Sequence, residues 1–130
     1  VVRVLFTGSR RLDQEDRIAR FVSVVVEGLA QRYGSGLVIV HGNARGLDRM
    51  VDGIARGMGI TVDPFPADWH GRGKIAGPER NQRMLDAGVD LVVAVKPAFN
   101  WKLDRGGTED MVRRAHAAGV MVYVVEPFLP

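Results

Sequence analysis

The chain has no cysteine among its 130 residues, which excludes a disulfide framework and any thiolate-ligated metal site. No uninterrupted apolar stretch approaches the roughly 20 residues that a membrane-spanning helix needs. Residues 1–6 are too short for a signal-peptide core and run straight into Thr7-Gly8-Ser9-Arg10. A soluble, cytoplasmic protein with no membrane association is therefore expected. Two nucleotide signatures are also missing. There is no G-x-x-x-x-G-K-[ST] phosphate loop, and Gly42-Asn43-Ala44-Arg45-Gly46 does not fit G-x-G-x-x-G. ATP hydrolysis and ordinary dinucleotide redox chemistry are disfavoured on that ground. His41, His70 and His116 are dispersed and lack metal-ligand spacing, so no metal and no cofactor is expected.

What is present is the composition of one globular domain. Hydrophobic residues make up 46% and charged residues 25%, and the length suits a single domain spanning 1–130. The net charge of +3 favours anionic partners. Because the basic residues are dispersed, charge alone does not choose between a phosphorylated small molecule and nucleic acid.

Short apolar runs alternate with amphipathic stretches. Residues 1–6 read as a buried strand stopped by Gly8. A helix follows from about Asp13, which can cap it, with an apolar stripe of Ile18, Phe21, Val22, Val25, Val26, Leu29 and Tyr33. Residues 37–40 form a second strand. A second helix carries Leu47, Met50, Val51, Ile54, Ala55 and Met58 on one face and stops at Gly59. Residues 60–65 form a third strand, and a glycine-rich loop over 67–77 leads to a helix opened by Pro78 and ended by Gly88. Residues 89–95 form a fourth strand, 108–118 a fourth helix and 120–125 a fifth strand. This alternation predicts a five-stranded parallel α/β sheet with helices on both faces, a Rossmann-like three-layer sandwich in the order 3-2-1-4-5.

In such a sheet ligands bind beyond the carboxyl ends of the strands, where helix N-termini point. The unusual residues crowd there: Gly8-Ser9-Arg10-Arg11, His41-Gly42-Asn43-Ala44-Arg45-Gly46-Leu47-Asp48, Pro66-Ala67-Asp68-Trp69 with Gly77-Pro78-Glu79-Arg80-Asn81, and Gly106-Gly107-Thr108-Glu109-Asp110. Glycines admit a phosphate close to the backbone, Ser9, Asn43 and Thr108 add donors, and Arg10, Arg45 and Arg80 supply bidentate charge. Any one of these loops also reads as a tight turn. Thr108 equally caps its own helix, and Glu109 or Asp110 equally complements the helix dipole. Asp48 is either a ribose-hydroxyl acceptor or a helix-start acid. Trp69 either stacks on a base or covers a loop. His41 reads as a turn residue beside the site, and Trp101 as part of a flap over 97–103.

Together these motifs resemble the YspA-type (YpsA-related) branch of the SLOG superfamily, from the first strand through the fourth helix. The resemblance implies a Rossmann-like fold and a nucleotide or nucleotide-derived ligand. Similarity to the LOG phosphoribohydrolases of that superfamily implies an N-glycosidase acting on nucleoside 5′-monophosphates. In that reading Arg80 orients substrate and Asp110, with Glu109 as second choice, is the acid at the ribosyl centre. The loop Asp104-Arg105-Gly106-Gly107-Thr108 departs from the LOG pattern, lacking its proline and spacing its glycines differently, which favours a sensor or sequestering module over an enzyme. Analogy with the DNA-processing branch implies single-stranded nucleic-acid binding as a less favoured reading. A homodimer or higher homo-oligomer is compatible with the sequence.

Overall fold

A computed structural model describes residues 1–8, 10, 15–95 and 107–125. Ser9, Asp13, Trp101 and Gly106 lie outside the described residues, as do the proposed flap over 97–103 and the start of the fourth glycine loop. Five strands form one parallel sheet: β1 (Val2–Gly8), β2 (Leu37–His41), β3 (Thr61–Pro64), β4 (Leu91–Val95) and β5 (Met121–Val125), in the order β3-β2-β1-β4-β5. Between them run α1 (Glu15–Tyr33), α2 (Leu47–Gly57), the one-turn α3 (Trp69–Arg72), α4 (Ala76–Asp86) and α5 (Gly107–Ala117). No helix among the described residues is long and apolar enough to cross a membrane.

The strands are apolar on both faces, and their alternation divides the core in two. Val4, Phe6, Ile39, Val93 and Val95 pack with Ile18, Val22 and Val26 of α1 and Leu47, Val51 and Ala55 of α2. Leu5, Val40 and Val92 point the other way, into Met84 of α4 and Met111 and Ala115 of α5. The sheet is therefore the middle of three layers, with α1 and α2 on one side and α4 and α5 on the other. Chain order reverses at β1, which pairs with both β2 and β4. Open parallel sheets place ligands at such a reversal point.

Three boundaries differ from the sequence expectation, each for a local reason. β1 does not stop at Phe6 but continues through Gly8, because Thr7 and Gly8 pair with Ala94 and Val95 of β4. Gly8 is required there for space. A Cβ would lie against Leu47 Cδ2 and 2.8 Å from the carbonyl oxygen of Val95. The stretch expected as a loop over 67–77 contains α3, whose first turn is held when Asp68 Oδ1 accepts from the Gly71 amide at 3.0 Å. The next helix begins at Ala76, so Pro78 is its third residue. Amides in a first turn have no intrahelical acceptor, and proline there sacrifices nothing. At the far edge of the sheet β5 leaves Met121, Tyr123 and Val124 exposed.

The backbone oxygen beside Gly8 cannot retreat, since β4 is fixed by pairing on both sides. Gly8→Ala should therefore cost about 1–3 kcal/mol, the usual scale of core overpacking. Urea denaturation should show a lower midpoint with an unchanged slope; an unshifted midpoint would refute the close packing of Gly8 on Leu47.

Candidate functional site

At the carboxyl ends of β1, β2 and β3 lies a cleft of about 450 Å³, lined by Arg10, Gly42, Asn43, Ala44, Arg45, Arg49, Pro66, Ala67, Trp69 and Arg80. Arg80, from the first half of α4, is buried with 6% of its surface exposed. Its Nε donates to Asn81 Oδ1 at 3.0 Å and its Nη1 donates to the carbonyl oxygen of Gly42. Gly42 is a glycine because a Cβ would sit 2.6 Å from Arg80 Cζ. Burial lowers the pKa of Arg80, the charge of Asp48 works against that, and the neighbouring cations Arg10 and Arg83 add to it. Arg10 lies with Cζ 5.1 Å from the centroid of the half-exposed Trp69 ring, a cation–π distance. Trp69 in turn rests on Gly77, where a Cβ would come within 3.1 Å of the indole.

The wall after β2 is built by hydrogen bonds to its own backbone. Asp48 Oδ2 accepts from the amides of Gly42 (3.1 Å) and Ala44 (3.2 Å), and Asp48 is buried. Burial raises its pKa, only partly offset by the Ala44 amide and the nearby Arg80 charge. The amide of Asn43 donates to Nδ1 of His41 at 2.9 Å, while His41 Nε2 meets Asp52 Oδ1 at 2.8 Å. A backbone amide can only donate, so Nδ1 is the acceptor and the ring carries its proton on Nε2, toward Asp52. Asn43 itself has φ +55°, the left-handed region that asparagine tolerates better than other side chains with a Cβ.

This corrects three expectations. The amides of residues 42–44 were expected to turn toward phosphate, but each already has a protein acceptor. The Arg45 side chain of this loop lines the cleft. Likewise Asp48 is not presented to a ribose; it holds the loop from beneath. His41 is no turn residue but the fully buried end of β2.

A second group of predicted residues surrounds the start of α5. Asn81 Nδ2 donates to the Gly107 carbonyl (3.2 Å) and to Asp110 Oδ2 (3.0 Å). Since Arg80 Nε can only donate, the amide oxygen of Asn81 must face Arg80 and its nitrogen Asp110. Asn81 thereby bridges the two residues expected to be catalytic. Asp110 Oδ2 also accepts from Arg114 Nε at 2.8 Å, and Arg113 stands 3.7 Å from Oδ1. Thr108 is buried at 1% exposure, and its Oγ1 is the one buried side-chain polar atom without a hydrogen-bond partner among the described residues. The expected helix cap through that hydroxyl is therefore not made.

The structure thus gathers Arg10, Gly42, Asn43, Arg45, Trp69 and Arg80 around one cleft, with Asn81 linking its floor to Gly107 and Asp110. Gly8, Gly46 and Asp48 do not line the cleft; Gly8 packs under Leu47, and Gly46 precedes α2 with φ 80°. Arg49 and the His41–Asp52 pair were missed. Arg49 stands in the first turn of α2 and faces the cleft. Asp48 and Asp52 are spaced i,i+4 on α2, which signals two carboxylates turned toward the end of β2.

The family described as YspA, cpYpsA-related SLOG (YAcAr) matches residues 2–71. The "Gene 61 protein" of Mycobacterium phage D29 is 40% identical over 126 residues, spanning 92% of this chain and 93% of that protein. The chain belongs to the YspA, cpYpsA-related SLOG family. Among solved structures, DNA processing protein A (DprA) from Streptococcus pneumoniae superposes with a TM-score of 0.71 at 22% identity, covering 95% of this chain and 50% of that one. TM1055 superposes with a TM-score of 0.69 at 17% identity, covering 94% and 72%. At such identities these two are alike in fold, and this SLOG chain spans half the length of the DprA chain.

Asp52 tests the wall. Burial pushes its carboxyl up, but hydrogen bonds from His41 and Arg56 outweigh that and hold it below the ordinary 3.8. A carboxyl lowered on folding stabilises above its unfolded value, and the gain disappears as pH falls from about 3.8 through the lowered value. Asp52→Asn should be less stable than wild type at pH 7, with the two curves converging below pH 3.8. Parallel denaturation curves across that range would remove the carboxylate from the support of His41.

Proposed function

We propose that the chain binds a nucleotide or nucleotide-derived phosphorylated ribose in the cleft at the carboxyl ends of β1, β2 and β3, acting as a sensor or sequestering module. The observation that carries this reading is the lining of the cleft: four arginines, an aromatic ring and, among the described residues, no carboxylate. Guanidinium groups match phosphate oxygens bidentately, and Trp69 offers an apolar face to a base. The buried, unpartnered hydroxyl of Thr108 at the start of α5 supports the same reading, since hydroxyl and free helix amides together suit an anion. Family membership agrees with it. Similarity to DprA concerns fold alone, so single-stranded nucleic acid is the less favoured partner.

A second reading, N-glycosidase activity on nucleoside monophosphates, is favoured by one observation: Asn81 joins Arg80 and Asp110 in a continuous hydrogen-bonded unit. Against it, Asp110 already receives Arg114 and Asn81 on a single oxygen. That engagement fits a carboxylate that shapes the helix start better than one waiting for a ribosyl cation.

Gly107 has open space where a Cβ would go, so the start of α5 can be altered without loss of fold. Gly107→Val with Thr108→Val should abolish nucleotide binding in calorimetry while the thermal transition stays cooperative. Unchanged affinity would exclude this loop from the site. The two readings part at Asp110. Incubation with nucleoside monophosphates should release no free base. If base is released, a catalytic Asp110 demands a fall of about 10²-fold or more in Asp110→Asn, the scale for removing one such group; equal rates would end its catalytic role.

A further inference from the structure

Four arginines outside the cleft are held by close ion pairs. Arg3 pairs with Asp63, Arg56 with Asp52, Arg72 with Glu79 and Arg114 with Asp110, all at 2.8–2.9 Å. The arginines of the cleft are held differently. Arg10 lies on Trp69, Arg80 bonds only neutral oxygens, and neither Arg45 nor Arg49 makes an ion pair among the described residues. Four guanidinium groups thus converge on one cavity, with Asp48 beneath the loop as the compensating carboxylate nearby.

Their depths differ. Arg80 is buried on the floor with its orientation set by Gly42 and Asn81, whereas Arg10, Arg45 and Arg49 are exposed at the rim. A single phosphate would be satisfied by the floor arginine, leaving the rim cations unanswered. Like charges held together at a rim repel one another, and such a cluster is worth keeping only against a ligand that extends along it.

We propose that the cleft is built for a nucleotide bearing a chain of two or more phosphates, one against Arg80 on the floor and the outer ones between Arg45 and Arg49. This rests on the nucleotide reading above and specifies its ligand class. Arg45, in the turn before α2, and Arg49, in the first turn of α2, both line the cleft, so a phosphate between them receives two forks. The monophosphate then binds by the floor alone, and each added phosphate engages cations that otherwise face solvent.

The experiment is calorimetric titration of the whole chain, at about 150 mM salt to suppress diffuse attraction. The ligands are the 5′-mono-, di- and triphosphates of adenosine, guanosine, cytidine and uridine, with inorganic pyrophosphate and tripolyphosphate beside them. For at least one base, affinity should rise about tenfold or more from monophosphate to triphosphate, in keeping with charge-assisted contacts. Arg45→Gln with Arg49→Gln should level that series, lowering triphosphate affinity about tenfold or more while monophosphate affinity falls far less. Both residues are exposed, so the variant should fold. Arg20→Gln, on the exposed side of α1, removes the same kind of charge elsewhere and should leave the series intact.

Equal affinity for mono- and triphosphates would overturn the proposal and spare the nucleotide reading. A rise that survives loss of Arg45 and Arg49, or that Arg20→Gln reduces equally, would also overturn it. Saturable tripolyphosphate binding that needs Arg45 and Arg49, with no preference for any nucleotide, would keep the phosphate chain and sink the nucleoside. Absence of binding by every ligand would end both.

Discussion

The cleft depends on an arginine lying where a side chain would normally be. Arg80 reaches under the loop after β2 and donates to the carbonyl of Gly42, and only glycine leaves room for it there. A buried guanidinium is costly unless its donors are used, and here two neutral oxygens take them without cancelling the charge. The result is a cation kept at the bottom of a cavity, fixed in direction and still positive. Above it stand Arg10 on Trp69 and the exposed Arg45 and Arg49.

The opposite charge has been placed out of reach. Asp48 sits beneath the same loop, where the amides of Gly42 and Ala44 share one oxygen, and it stabilises the wall without lining the cavity. His41 does the equivalent for Asn43, fixed through Asp52 and Arg56. The amides of Gly42, Asn43 and Ala44 are thus satisfied inwardly. A loop of this kind presents charge rather than backbone amides.

How far the sequence foretold this varies with the physical cause. The strand order and the two-faced core followed from apolar runs separated by amphipathic stretches, because burial on both faces demands that pattern. Boundaries slipped where pairing, not composition, decided them: Gly8 looked like a stop and is a strand residue packed under Leu47. The short helix at Trp69 was invisible because a single turn has no apolar stripe and is held by the Asp68 cap. Arg10, Arg45, Trp69 and Arg80 could be assembled on paper, since residues following parallel strands share one rim. The inward commitment of Asp48 and His41 could not, because it depends on where α2 sits against the end of β2. Arg49 escaped for a related reason, as a helical arginine shows no sign in sequence of which way it faces.

The contact between Arg80 and Gly42 joins positions 38 residues apart, and Asn81 reaches Asp110 across another 29. Neither is a local contact, so the loop-closure entropy of both must be met before the floor exists. A chain that has completed β1, α1, β2 and α2 owns the rim and its arginines but nothing to seat a ligand on. Only when α4 has folded back across the sheet, and α5 has come down beside it, does the cavity gain a bottom. Occupancy of this cleft would therefore report on completion of the domain, since whatever binds there binds the finished fold and draws the folding equilibrium toward it.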